Sequence, residues 1–202
     1  QSTTVSGNSA QRGGGLFFYH PDHPSSVVSS TISGNSATAG EGGGVYVFNQ
    51  NGFGLQNSTV AGNSASAAGG GVILKNGASL PLRNMIIGDN TAGSNNDLDG
   101  SFDVGFSLIE SPGSATLTGP GSNLLNVDAQ LGALQNNGGA TMTRKPASGS
   151  PVVNAGDPAF AAPPAVDQRG LARVTNGRID MGAVEVAPGT VQFASATASV
   201  NE

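Results

Sequence analysis

Cysteine and tryptophan are absent from these 202 residues, and charge is scarce: eight Lys and Arg and thirteen Asp and Glu make up 10% of the chain. The missing thiols exclude disulfides, zinc-thiolate centres and cysteine nucleophiles together, though they do not fix a compartment. Soluble domains average about 25% charged residues. With so few cations and a net charge of -5, no basic footprint exists for nucleic acid and no polybasic stretch for a membrane surface. Membrane insertion is not expected either, because no run approaches the ~20 apolar residues of a membrane span. Gln1 does not open a signal peptide, and we expect a mature fragment of a longer protein. Helix formers are sparse as well. In their place stand 32 Gly with abundant Ser, Asn and Thr, and short β-branched clusters such as Val45-Tyr46-Val47-Phe48 and Val72-Ile73-Leu74. An all-β chain follows.

What is present is a repeat. Val5-Ser6-Gly7-Asn8-Ser9-Ala10 returns as Ile32-Ser33-Gly34-Asn35-Ser36-Ala37, as Val60-Ala61-Gly62-Asn63-Ser64-Ala65, and in altered form as Ile87-Gly88-Asp89-Asn90-Thr91-Ala92. Gly7, Gly34, Gly62 and Gly88 are separated by 27, 28 and 26 residues, and triple glycines begin at Gly13, Gly42 and Gly69. A period of this length means one supersecondary unit stacked on copies of itself. Each period holds two or three short strands and no helix-length segment, which predicts a parallel β-helix. Strands then pair one coil along at about 4.8 Å, and alternation points Ile32, Val45, Val47, Val60 and Val72 inward. Asn8, Asn35, Asn63 and Asn90 hold one phase of the repeat, so their amides are expected to form a hydrogen-bonded ladder. Gly13, Gly42 and Gly69 suit coil corners. No helix, Lys or Walker pattern follows them, so they are not a phosphate loop.

These phrases resemble the right-handed parallel β-helices of bacterial surface proteins, including the polymorphic outer-membrane type. In the second half, Leu131-Gly132-Ala133-Leu134-Gln135-Asn136-Asn137-Gly138-Gly139 is followed in order by Ser150-Pro151-Val152-Val153-Asn154-Ala155-Gly156-Asp157, Asp167-Gln168-Arg169-Gly170 and Asp180-Met181-Gly182-Ala183-Val184-Glu185. That series is similar to the choice-of-anchor Q family of extracellular bacterial proteins, over residues 1–186, with Asn154 standing where the family has Asp. The resemblance implies a right-handed β-helix over 1–126, an irregular C-terminal capping region over 127–187, and display at or beyond the cell surface. It brings no catalytic mechanism. Residues 188–202 resemble the opening strand of a Calx-β domain. Glu202 falls on a calcium-ligating position of that family, but its companion ligands lie outside this sequence, so no calcium site is assigned.

Chemistry-bearing residues are few. Asp97, Asp99 and Asp103 are the enzymatic candidate, since β-helix lyases and hydrolases set carboxylates on adjacent strands. The nearest Arg is Arg83, and a polar turn at Asn95–Gly100 is the simpler reading. A calcium ion at Asp97 and Asp99 is the one metal reading left beside it, and otherwise no cofactor is expected. His20-Pro21-Asp22-His23 could hold a transition metal, but its flanking prolines read as an exposed loop. Asp167, Arg169, Arg173, Arg178, Asp180 and Glu185, with Asp157 nearby, concentrate charge after the repeats and are expected to form ion pairs in the cap. Asn57-Ser58-Thr59 is a formal glycosylation sequon inside the repeat.

The reading that results is a non-catalytic structural or adhesive module of a bacterial extracellular or cell-surface protein. Its expected partners are neighbouring domains, other copies of itself or surface polysaccharide. Two alternatives stay beside it: a carbohydrate-active β-helix enzyme, and a subunit of an extracellular filament. The repeat is under way within the first ten residues, so further coils or another copy are expected to cover the first coil, with strand addition by 188–202 as one route.

Overall fold

The computed structural model describes residues 1–19, 25–49, 52–175 and 177–186. Its strands wind into a parallel β-solenoid, a parallel β-helix with four sheets of six, four, four and five strands. The second pass lays down Thr31–Ser33, Ser36–Ala37, Val45–Phe48 and Phe53–Gln56, one in each sheet. Four strands per pass, rather than two or three, arise because pieces as short as Ser36–Ala37 still pair with the passes on both sides. No helix occurs among the described residues, so none is long and apolar enough to cross a membrane.

Register explains the core. In the first sheet Val5 pairs with Ile32, Ile32 with Val60, Val60 with Ile87 and Ile87 with Ile109. Identical spacing therefore superposes one inward column, and the period-two alternation does the same for Val45 over Val72 and Val47 over Leu74. Ile32, Val45, Val47, Val60 and Val72 are fully buried and pack with Phe53, Leu80 and Phe102. Burying each such side chain is worth roughly 1.5–3 kcal/mol. The altered fourth repeat is in phase by its Asn, not its Gly. Gly88 pairs with Ala61, so Asp89 occupies the corner of Gly62 and takes the left-handed backbone there, at φ 55°.

The irregular C-terminal region after the coils packs along their side. From Ala129 to Val186 the chain runs back along the outer face of the first sheet and covers it. Ile86 and Leu108 point outward from that sheet, yet they are fully buried against Ala129, Val152 and Met181 in a second core. Further along, Gly182 N donates to Asn84 O (2.7 Å) and Ala183 N to Thr59 Oγ1 (3.1 Å). Gln168 reaches the first two passes: its Oε1 accepts from Thr31 Oγ1 (2.6 Å) and its Nε2 donates to Thr4 Oγ1 (3.0 Å). Arg144 ion-pairs with Asp89 at 2.9 Å. The layer thus clamps the coils laterally. Physically, the outward positions of this sheet, Thr31, Thr59, Ile86 and Leu108, offer hydroxyls and apolar surface but no charge, a face that needs covering. The expected Calx-β strand of 188–202, its strand addition and the His20 to His23 loop lie outside the described residues.

Candidate functional site

The asparagine column is continuous. Asn8 Nδ2 donates to Asn35 Oδ1 (3.0 Å), Asn35 Nδ2 to Asn63 Oδ1 (2.9 Å) and Asn63 Nδ2 to Asn90 Oδ1 (3.0 Å). The backbone N–H groups of Asn8, Asn35 and Asn63 join the same acceptors, and the amides of Asn35, Asn63 and Asn90 also reach a carbonyl of the preceding pass, Val5, Ile32 and Val60 in turn. The asparagines themselves are not left-handed; the preceding Gly7, Gly34, Gly62 and Asp89 are. Of the triple glycines, Gly13, Gly42 and Gly69 take φ 60°, 72° and 62°, as a corner requires. The third glycine has another cause: a Cβ on Gly44 would stand 3.0 Å from Asn63 Nδ2.

Asp97 ends the column. Its Oδ1 accepts from Asn90 Nδ2 (2.9 Å) and its Oδ2 from Ser111 N (2.6 Å), with the residue 1% exposed. Asp97 occupies the phase of Gly71, so a carboxylate fills the space an amide from the next pass would otherwise take. Burial pushes it up to about 7 against the pull of those two donors. Glu185 is also pushed up to about 7 by burial, and Asp180 is raised by the same cause. These acids hold their protons more tightly folded than unfolded. Their contribution to stability is therefore complete below the unfolded values near 4 and, for Asp97 and Glu185, is lost as pH rises through about 7. Thermal unfolding should give a higher midpoint at about pH 5 than at about pH 8, with a shallower slope in Asp97→Asn. A midpoint flat or rising over that range would contradict the assignment.

A second column escaped the sequence reading. Ser2, Ser29, Asn57, Asn84 and Phe106 are all left-handed, at φ 46° to 53°. The serines that follow cap the corner of the preceding pass: Thr3 N donates to Ser30 Oγ, Ser30 N to Ser58 Oγ and Met85 N to Ser107 Oγ. The recurring Ser before the inward Ile32, Val60 or Ile109 was its only trace in sequence. The sequon Asn57-Ser58-Thr59 is this corner, buried throughout.

Asp97, Asp99 and Asp103 do not converge. Asp97 lies inside, whereas Asp99 Oδ2 meets Lys75 Nζ at 3.2 Å on the third sheet, beside the Glu41 contact of the same lysine at 3.0 Å. Asp103 pairs with Arg83 on the fourth sheet. Place in the coil causes the separation: Asp97 precedes the strand Leu98–Asp99 and ends the asparagine column, while a turn at Gly100 puts Asp99 and Asp103 on different sheets. No group of three or more metal-ligating side chains occurs among the described residues, and Asp97 and Asp99 do not share a calcium position.

The charged residues of the flank also differ from expectation. Only Asp167 and Arg169 form an ion pair among the six, at 2.8 Å. Arg173, fully buried, donates through Nη2 to Asn57 O (3.1 Å) and Gly182 O (2.7 Å), and burial lowers its pKa. Arg178 Nε donates to Gly156 O (2.6 Å). Asp180 accepts from Asn154 N and Val186 N, each at 2.6 Å, and Glu185 Oε2 accepts from Asp180 N at 3.1 Å. Irregular backbone supplies many buried donors and acceptors that no sheet satisfies, and these side chains pair with them instead of with one another.

Two outer features remain. On the third sheet Phe17 stacks on Tyr46 and Tyr19 on Phe48, with centroids 4.8 and 5.1 Å apart. On the fourth, a shallow groove of about 390 Å³ crosses three passes and is lined by Ser25, Ser26, Gly54, Gln56, Pro81 and Arg83. No protein-family model, curated protein or solved structure matches the chain. The class it belongs to is therefore defined by fold: a parallel β-solenoid bearing a lateral C-terminal layer.

Proposed function

We propose that this chain is a non-catalytic structural or adhesive module of a bacterial extracellular or cell-surface protein. One observation supports this over a carbohydrate-active enzyme: each of the three candidate carboxylates is engaged, Asp97 by the asparagine column, Asp99 by Lys75 and Asp103 by Arg83. A glycosidase needs two carboxyl groups facing one another across a sugar bond, and these three lie on different faces. A stack of rigid coils whose outer charges are paired with one another suits display and contact rather than turnover. The purified chain should release no unsaturated or reducing ends from pectin or alginate, with or without calcium, while beads coated with it should adhere to cell-surface polysaccharide. Product release that disappears in Asp97→Ala or Asp103→Ala would overturn this function in favour of the enzyme.

A further inference from the structure

The fourth sheet carries a glycine without a structural reason. Five glycines lie within strands among the described residues: Gly54, Gly88, Gly93, Gly105 and Gly132. A Cβ on Gly88 would stand 2.4 Å from Glu110 Cδ, on Gly93 2.8 Å from Ser66 O, on Gly105 2.9 Å from Pro120 O and on Gly132 3.2 Å from Lys145 O. Gly54 differs. Its Cβ would meet Pro81 O at 3.4 Å and Pro81 Cβ at 3.5 Å, ordinary contact, and its φ is not left-handed. Glycine inside a strand weakens it and often marks a place where something else approaches the backbone. Here the missing side chain deepens the groove, since Gly54 shares an outward row with Ser26 in the pass before and Pro81 in the pass after.

We infer that this groove binds a neutral oligosaccharide segment of a surface polysaccharide, with Gly54 as the opening that admits it. The inference rests on the adhesive reading above and names its ligand. Three features specify the chemistry. The floor, Gly54 backbone and the Pro81 ring, is flat and apolar, fit for the C–H face of a pyranose. The rim supplies the hydroxyl of Ser26 and the amide of Gln56, groups that exchange hydrogen bonds with sugar hydroxyls. The single charge of the lining, Arg83, is neutralised by Asp103 and tied to the carbonyls of Leu82 and Asp103, so nothing in the groove calls for an anionic sugar. Three passes at about 4.8 Å extend the groove over roughly 10 Å, enough for two sugar rings.

The test uses the full chain with cellohexaose, maltohexaose, chitohexaose and hexagalacturonate, by titration calorimetry and by chemical-shift perturbation. At least one neutral oligosaccharide should bind saturably and shift groove resonances. Gly54→Thr should weaken that binding about tenfold or more while the thermal midpoint stays level or rises, because a β-branched residue replaces glycine in a strand. Ser26→Ile fills the same groove from an exposed position and should act alike, which keeps the test decisive if the first variant folds poorly. Binding of hexagalacturonate alone, no binding of any neutral probe, or neutral binding untouched by both substitutions would each overturn the groove. The last result would leave the adhesive reading standing, whereas cleavage of a bound oligosaccharide would overturn that reading itself.

Discussion

Asn63→Ala should destabilise the protein by about 3 kcal/mol, several times the effect of Asn8→Ala. The substitution removes the acceptor of both Asn35 N (3.0 Å) and Asn35 Nδ2 (2.9 Å), and the donor to Ile32 O and Asn90 Oδ1 (3.0 Å each). Asn35 and Asn63 are each 1% exposed, so water cannot replace those partners, and each orphaned group costs about 1–3 kcal/mol. Asn8 is exposed, and its loss leaves Asn35 Oδ1 near solvent. For a chain of this size the Asn63→Ala midpoint should fall by roughly 6–12 °C. Equal midpoints for the Asn63 and Asn8 variants would show that the column is decoration rather than support.

Asp167→Ala should cost about 3–5 kcal/mol, the usual penalty for removing one partner of a buried ion pair. This carboxylate gathers the lateral layer onto itself. Its Oδ1 accepts from Arg169 N (2.8 Å) and Leu171 N (3.1 Å), and its Oδ2 from Arg169 Nε, Arg169 Nη2 and Glu185 N at 2.8–3.0 Å. Without it Arg169 is left with little solvent, its side chain being 6% exposed, and without its ion-pair partner. The damage should be local: amide exchange should accelerate at Arg169, Leu171 and Glu185 while Ile32, Val60 and Ile87 stay protected. A loss under about 1 kcal/mol with unchanged exchange at those three amides would refute the role given to Asp167.

How much was legible follows from where partners come from. In the coils each residue's neighbour is its own equivalent about 27 residues away, so the asparagine phrase, the glycine corners and the inward Ile32, Val45 and Val60 could be read from spacing alone. Short strands such as Ser36–Ala37 were invisible because two small residues carry no periodic signal. Gly88 keeps the spacing of the phrase but not its corner, since pairing to Ala61 hands that corner to Asp89.

The sequence by itself determined the stacking, because a repeat dictates both members of every contact it makes. Only the tertiary structure decided the rest. Gln168 meets Thr31 across 137 positions and Ala183 meets Thr59 across 124, contacts between segments that share no period. Nothing local announces that the layer after residue 126 clamps one side of the coils, or that Arg173 serves backbone carbonyls in place of a carboxylate. The same holds for Asp97, Asp99 and Asp103, close in the chain and sent to three surroundings because one precedes a strand and a turn at Gly100 puts the other two on different sheets. It holds for Gly54 too, a glycine among many until the distances show that, among the described strand glycines, a Cβ there would meet only ordinary contacts.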